Sequence, residues 1–528
     1  MKSLQALRKR VSVAALGLVV ALVSTQAAAA LSAGQSRGKQ IYLHGTSPSG
    51  GEVTAHVGRE AVALPASAAP CASCHGPDGR GRPEGGVIPT DIRWSQLTKV
   101  YGHVHEDGRR HPAFDKAGLA RVLRTGLDPA DNRLDQSMPL YTLSDGDMAD
   151  LVAYLTHLEA DLDPGVNNER IQVASLLPLQ GPQGGLGQAM AQVMLAYFKE
   201  VNAGGGVFGR RIELLAVPYG DSPEATLGNL RSAFQREGIF ALVGAYTVGL
   251  DQEILDLLRE QDMPLIGPFT LDPGDGIINA AAFYLYPGFV EQARALADEA
   301  FKAASADTPV VFIGPEGEHV DRLVQAVKEQ QGARSTESDL TVRYARGEMD
   351  VEALAERVAA SAGETLFFFG DQTDLEPLLA ALAEREQSPR VYLLSAFVPR
   401  PLFDAPPAFD HRLFLAYPTL GSDISAAGRD EYGKLASAHA LPPDHLQGQI
   451  AALAAAKLLV EGLRSAGRDL SRLALVDALE ALYGYETGLT PPLSYGPNRR
   501  IGARGAHVVA VDLVKKSYQP VGGWHELR

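Results

Sequence analysis

The sequence predicts a multidomain protein, a helical domain followed by a larger α/β unit, and three observations carry that expectation. The chain has 528 residues and is 45% apolar, more than a single hydrophobic core accommodates. Up to about residue 160, short helical patterns alternate with loops such as Ser47-Pro48-Ser49-Gly50-Gly51 and Pro65-Ala66-Ser67-Ala68-Ala69-Pro70. From Ile171 onward, short apolar strands alternate with amphipathic helices, the order of parallel sheets covered on both faces. No period of about 20 to 50 residues repeats, which excludes a solenoid.

Lys2, Arg8, Lys9 and Arg10 precede an apolar run from Val11 to Val23, and Ala27 to Ala30 supply small residues for cleavage. That is the pattern of a secretory signal peptide over residues 1–30. The run is too short for a spanning helix, no cysteine lies beside it to accept lipid, and no later segment is apolar for about 18 residues. An exported chain with no membrane span after signal removal is therefore expected. Losing four basic residues and no acid takes the formal charge from −15 to −19, which argues against nucleic acid and anionic membranes and permits steering by basic partners.

The chain's two cysteines fall in Cys71-Ala72-Ser73-Cys74-His75. C-x-x-C-H reads as covalent attachment of a c-type haem: two thiols at this spacing reach the two vinyl groups of one porphyrin, and the following imidazole lies under the iron. Cys71 and Cys74 are the expected anchors and His75 the proximal ligand. Met138, in Ser137-Met138-Pro139-Leu140-Tyr141, is the expected sixth ligand, since a thioether opposite imidazole raises the iron potential. A redox dithiol or structural disulfide is the alternative for the cysteines. It leaves His75, the run Gly76-Pro77-Asp78-Gly79-Arg80-Gly81 and the Met-Pro pair without a role. Met148 competes for the iron but sits in a helical stretch seven residues before Leu155, where packing explains it.

Residues from about 35 to 160, within a domain set at 31–160, resemble a class I monohaem cytochrome c, on the evidence of Gly38 to Gly45 as an opening helix, the CASCHG motif, Met138-Pro139, and Leu143 to Leu155 as a closing helix. The resemblance implies an all-α domain with one haem c, and haem attachment to such a motif occurs outside the bacterial cytoplasm, so the periplasm is expected. Thr46 to Pro70 is a longer insertion than the simplest members carry. His103, His105 and His111 read as histidines exposed on a loop rather than as a second metal site. Phe114 to Gly126 reads as a helix ended by glycine.

Asp161 to Asn168 carries Pro164 and Gly165 without periodicity and is read as a linker, with a binding unit over 169–528. The Gly-rich loop Pro178 to Gly187 follows a strand, but its spacing is not G-x-G-x-x-G, so a dinucleotide site is not expected. Ile171 to Gly187, Val201 to Leu214 and Phe240 to Thr247 instead resemble the type I periplasmic binding proteins of the leucine/isoleucine/valine-binding family. That resemblance implies a two-lobed α/β fold, lobe one about 169–286 and 417–487, lobe two about 287–416 and 488–528, with ligand in the cleft between. It also implies ligand contacts at Thr247, Phe269 and Thr270 from lobe one, and at His319, Asp371, Gln372 and Ser395 from lobe two. Ser395 stands where amino-acid-binding members tend to hold an acid, so an amino-acid ligand is not favoured over a small carboxylate or alcohol. For each of these positions loop capping or solvation is the alternative.

Three functions are consistent with these features. One is an electron carrier fused to a module binding a small polar ligand. The others are a receptor for an ABC permease with the cytochrome as docking module, and a haem-dependent oxidoreductase. The α/β part shows no organic redox cofactor motif, and a haem with both axial positions filled does not readily bind substrate, so the first is preferred and no catalytic residue is assigned. A periplasmic dehydrogenase, another cytochrome or an oxidase is the expected redox partner.

Overall fold

The computed structural model describes residues 31–527 except 82, 84–85, 106–107, 274–280, 304–307, 333–338 and 362; the expected signal peptide lies outside the described residues. The chain divides into two compact units between Asp161 and Leu162.

In the first unit, helix α1 (Ala33–His44) begins at a capping box in which the Ser32 hydroxyl and Gln35 amide satisfy each other's backbone N–H groups. It ends at Gly45, in the left-handed conformation at φ 63°. There follow strands β1 (Thr54–Val57) and β2 (Val62–Pro65), helices α2 (Cys71–His75) and α3 (Trp94–Leu97), and strands β3 (His103–Val104) and β4 (Arg110–His111). Helix α4 (Lys116–Thr125), strand β5 (Leu140–Thr142) and helix α5 (Asp145–Leu155) complete the unit. Helices α1 and α5 cross at Gly38, where a Cβ would stand 2.0 Å from the Asp150 carbonyl oxygen. That approach admits only glycine. Beside it the rings of Tyr42 and Tyr154 meet at 5.7 Å, and Arg37 pairs with Asp150 at 2.6 Å. Ile41, Tyr42, Leu151, Tyr154 and Leu155 are fully buried there, each such side chain contributing about 1.5–3 kcal/mol.

Helices frame this unit as expected, and the insertion adds a small antiparallel sheet in the order β2-β1-β5. Thr54, Ala55 and His56 pair with Thr142, Tyr141 and Leu140, so the insertion anchors the chain just after Met138-Pro139.

In the second unit, lobe one holds β6 (Arg170–Leu177), α6 (Gly184–Ala203), β7 (Arg211–Pro218), α7 (Pro223–Glu237), β8 (Ala241–Val243), α8 (Asp251–Arg259), β9 (Leu265–Ile266) and β10 (Ala282–Phe283). Its sheet is parallel, ordered β10-β9-β8-β6-β7. Lobe two holds α9 (Phe289–Ala303), β11 (Val310–Pro315), α10 (Glu318–Gln331), β12 (Leu340–Tyr344), α11 (Val351–Ala360), β13 (Thr365–Phe368), α12 (Gln372–Glu384), β14 (Arg390–Leu394) and β15 (Leu413–Tyr417). The chain returns to lobe one with α13 (Ala426–His439), α14 (Leu446–Ala466) and α15 (Arg472–Glu480), then ends in lobe two with β16 (Gly505–Asp512) and β17 (Ser517–Glu526). The second sheet is ordered β12-β11-β13-β14-β15-β16-β17, antiparallel from β15 onward. Strands β6, β11, β13 and β14 are buried on both faces, as their largely apolar sequences require, with Gln172 and Ser175 of β6 buried among them.

Two boundaries differ from those read in the sequence. Leu489, Leu493, Tyr495 and Ala503 belong to the lobe-one core, and the backbone of Arg500 and Gly502 bonds to Tyr284, so the final crossing lies after Ala503 rather than at 488. The expected linker 161–168 is also shared out. Asp161 accepts from the Tyr154 hydroxyl at 3.0 Å in the first unit, while Asp163 accepts from the Arg472 backbone N–H at 2.6 Å and Val166 is buried in the second.

Candidate functional sites: a cofactor cavity and a ligand crevice

A cavity of about 520 Å³ opens in the first unit, and Cys71, Cys74, His75 and Met138 all line it. The single turn of α2 sets the two thiols three residues apart on one face, with His75 next. Both cysteines are free, Cys71 buried and Cys74 exposed. Burial pushes the Cys71 thiol up to about 11, against a lowering contact from Tyr141. The Tyr141 hydroxyl donates to the Ala69 carbonyl at 2.8 Å, joining the residues after Met138 to those before Cys71.

His75 Nδ1 lies 3.0 Å from the Thr90 carbonyl oxygen. A carbonyl only accepts, so Nδ1 carries the hydrogen and Nε2 presents its lone pair. Burial lowers the imidazole's pKa, which favours the neutral form a metal requires. Met138 is partly buried at the cavity, whereas Met148 is 3% exposed within the packing of α5 and is not among the lining residues. Two thiols, a neutral imidazole with a free Nε2 and a thioether around one apolar cavity fit a c-type haem.

The histidines expected to be exposed line the same cavity. His103 pairs with His111 across the β3–β4 hairpin, and His105 shares the face of His103 by strand alternation. The rings of His103 and His111 stack at 4.8 Å, and Nε2 of His105 lies 2.9 Å from Nε2 of His111. Desolvation, then the neighbouring charge of His111, lowers the pKa of His103, whose Nε2 is buried without a hydrogen-bond partner. The sequence carried a usable signal in the His-x-His spacing and the turn-forming Gly108 before His111.

In the second unit, several predicted ligand residues gather at the C-terminal ends of the strands, where open α/β sheets bind ligands. Thr247 follows β8, and its hydroxyl donates to Asp251 Oδ1 at 2.5 Å. Burial raises the pKa of Asp251, which also receives hydrogen bonds from Thr247 and Thr270. Phe269 follows β9 and stacks on Tyr246 at 5.8 Å. Asp272, three residues on, faces His319 Nδ1 at 3.4 Å and Arg322 at 3.8 Å on α10, bridging the two lobes. His319 packs edge-on against Phe289 at 5.5 Å and Phe397 at 6.2 Å. Ser395 is half-buried two residues before Phe397.

Asp371 and Gln372 are engaged elsewhere. Asp371 caps α12, accepting from the backbone N–H groups of Thr373 and Asp374, and the Thr373 hydroxyl lowers its pKa. Gln372 is buried, donating to Glu376 at 2.8 Å and accepting from the Arg400 backbone at 2.9 Å. Tyr219, Tyr246, Asp251, Asp272, Phe289 and Phe397 were not picked out from the sequence.

A cytochrome c family model matches residues 66–159, and a periplasmic binding protein family model matches residues 170–517. No curated protein matches the chain. Among solved structures, a fatty acid ABC transporter substrate-binding protein from Thermomonospora curvata is 17% identical with a TM-score of 0.50, covering 70% of this chain and 95% of its own. A substrate-binding periplasmic protein from Ralstonia solanacearum is 20% identical with a TM-score of 0.50, covering 66% and 99%. A branched chain amino acid ABC transporter from Thermus thermophilus with bound valine is 14% identical with a TM-score of 0.51, covering 68% and 97%. Such identities establish the fold. No helix among the described residues is long and apolar enough to cross a membrane. With two thirds of its length matched by that model and the C-x-x-C-H cavity placed ahead of it, the chain belongs to the periplasmic binding protein family and carries an N-terminal cytochrome c domain, which implies haem c.

Proposed function

We propose that the protein is a periplasmic c-type cytochrome carrying single electrons, fused to a module that holds a small polar ligand between its lobes. The observation that carries this reading is the meeting of Cys71, Cys74, His75 and Met138 on one cavity, with Nε2 of His75 left available by the bond to Thr90. One haem c would be attached through Cys71 and Cys74 and held by His75 and Met138, and would supply a one-electron couple when bound. The chain's own part is orientation. The Thr90 carbonyl fixes the imidazole, α2 spaces the thiols, and β5 anchors the residues after Met138. Buried Leu97, Leu119, Val122, Leu123 and Leu155 give the cavity an apolar lining, which would disfavour the extra positive charge of the oxidised cofactor and so raise its potential.

The signal-like segment over 1–30 and the usual export of both families support the periplasm. A periplasmic dehydrogenase, another cytochrome or an oxidase is the redox partner under this reading. A second reading, delivery of solute to an ABC permease with the cytochrome as docking module, draws on the ABC transporter roles named for the Thermomonospora curvata and Thermus thermophilus proteins.

The test is intact-mass measurement and a reduced-minus-oxidised spectrum of the full-length protein from its native cells. A mass increment of one haem with a low-spin c-type spectrum is expected. A haem-free polypeptide from cells competent in haem attachment overturns the reading.

A further inference from the structure

We propose that the crevice of the second unit selects an uncharged ligand with an aromatic ring and a hydroxyl, a phenol or an aromatic alcohol, held between rings from both lobes. This rests on the reading of that crevice as the ligand site and specifies what it takes.

Tyr219 follows β7, Tyr246 follows β8 and Phe269 follows β9, so three aromatic residues stand at the C-terminal edge of the lobe-one sheet. Tyr219 meets Tyr246 edge-on at 5.7 Å, and Tyr246 stacks on Phe269 at 5.8 Å with planes 12° apart. All three are half-buried, which leaves ring surface to contact a ligand. Lobe two answers with half-buried Phe397 after β14, backed edge-on at 5.0 Å by Phe289, buried at the start of α9, with His319 packed against both. Asp272, three residues after Phe269, contacts His319, which ties the lobe-one rings to the group around Phe289 and Phe397. Aromatic side chains from both lobes match a flat apolar body, since ring pairs attract beyond the area they bury.

The polar groups then select the head. An amino-acid or other carboxylate ligand needs donors or a positive charge that its own chain has not engaged. Here the Thr247 hydroxyl already donates to Asp251, and His319 and Arg322 both face Asp272. Asp251 makes this wall acidic, and Asp272, though faced by Arg322, adds to the cost of a second negative charge there. A ligand hydroxyl donates to a carboxylate, which has lone pairs to spare after receiving Thr247 and Thr270. The same carboxylates repel an anionic head.

The experiment uses the full-length haem-loaded protein and four probes, 4-hydroxybenzyl alcohol, benzyl alcohol, benzoate and L-leucine, with calorimetric titration and the melting temperature as readouts. The two alcohols are expected to bind and to raise the melting temperature, with benzoate at least tenfold weaker and L-leucine silent. Tyr246→Ala is expected to weaken the alcohols by tenfold or more. Phe269→Leu, which keeps an apolar side chain in the same place, does the same to a smaller extent and carries the test should Tyr246→Ala fail to fold. Asp251→Asn is expected to narrow the gap between benzoate and benzyl alcohol. Binding of L-leucine as tight as that of the alcohols overturns the proposal while keeping the crevice as a ligand site, and so does preference for benzoate. Silence of all four probes overturns it as well, and a different small molecule retained by the native protein in mass spectrometry then shows that the crevice itself still binds.

Discussion

The two candidate sites of this chain are built to opposite rules. Around the cavity of the first unit, the groups that would meet the cofactor are held ready: His75 Nδ1 is occupied by Thr90 so that Nε2 is not, and both thiols are free. Around the crevice of the second unit, the polar groups are occupied by their own chain, Thr247 by Asp251 and His319 by Asp272. Under the proposed function the difference has a reason: a group attached once and kept would reward a fixed cavity, whereas a ligand that comes and goes would be met by side chains that exchange partners as lobes close about a hinge.

The largest effect is expected at the cysteines. Replacing both Cys71 and Cys74 by Ser is expected to abolish covalent haem, read as loss of the haem mass increment, while the thermal transition of the second unit stays where it was. A transition that moves with the haem would show that the two units do not behave separately.

A smaller effect is expected from Gly38→Val, which drives a side chain into the Asp150 carbonyl where α1 and α5 cross. Overpacking of this kind costs about 1–3 kcal/mol, and calorimetry should place the whole loss in the transition of the first unit.

The smallest effect sharpens the second unit. Asp371→Ala removes the cap of α12 at a cost of about 1 kcal/mol and should leave ligand affinity unchanged, since the carboxylate serves Thr373 and Asp374. The Thr373 hydroxyl holds the carboxyl below its ordinary value. The folded pKa being depressed, the contribution is present above the unfolded pKa of about 3.9 and is lost as pH falls through the folded value. Wild-type and Asp371→Ala melting temperatures should therefore differ near pH 7 and converge as the pH is taken below about 4. A parallel offset at all pH values would contradict the capping role.

What the sequence made legible follows the same division. Covalent attachment needs one spacing, so Cys71, Cys74 and His75 are readable as a string, and strands buried on both faces announce themselves as apolar runs at β6, β11, β13 and β14. The hairpin of β1 and β2 was hidden because four-residue strands carry too few alternations, and β2 is exposed along its length. Strand β17 was hidden by Pro520, Gly522 and Gly523, which an edge strand tolerates. Crevice residues come together only through tertiary structure: Asp272 meets His319 across 47 positions of sequence, with no local pattern to mark either. Asp371 was read as a ligand contact with loop capping as the alternative, and the cap is what the structure shows: an Asp opening Asp371-Gln372-Thr373-Asp374 ahead of apolar residues is an N-cap pattern.

The central claim, a haem held by His75 and Met138 in the first unit, is tested most directly by the oxidised spectrum and midpoint potential of Met138→Ala beside Met148→Ala. The account predicts that Met138→Ala loses the long-wavelength methionine-to-iron charge-transfer band and shifts to a lower potential, while Met148→Ala keeps the band and is only less stable. A band that survives in Met138→Ala and vanishes in Met148→Ala would contradict it.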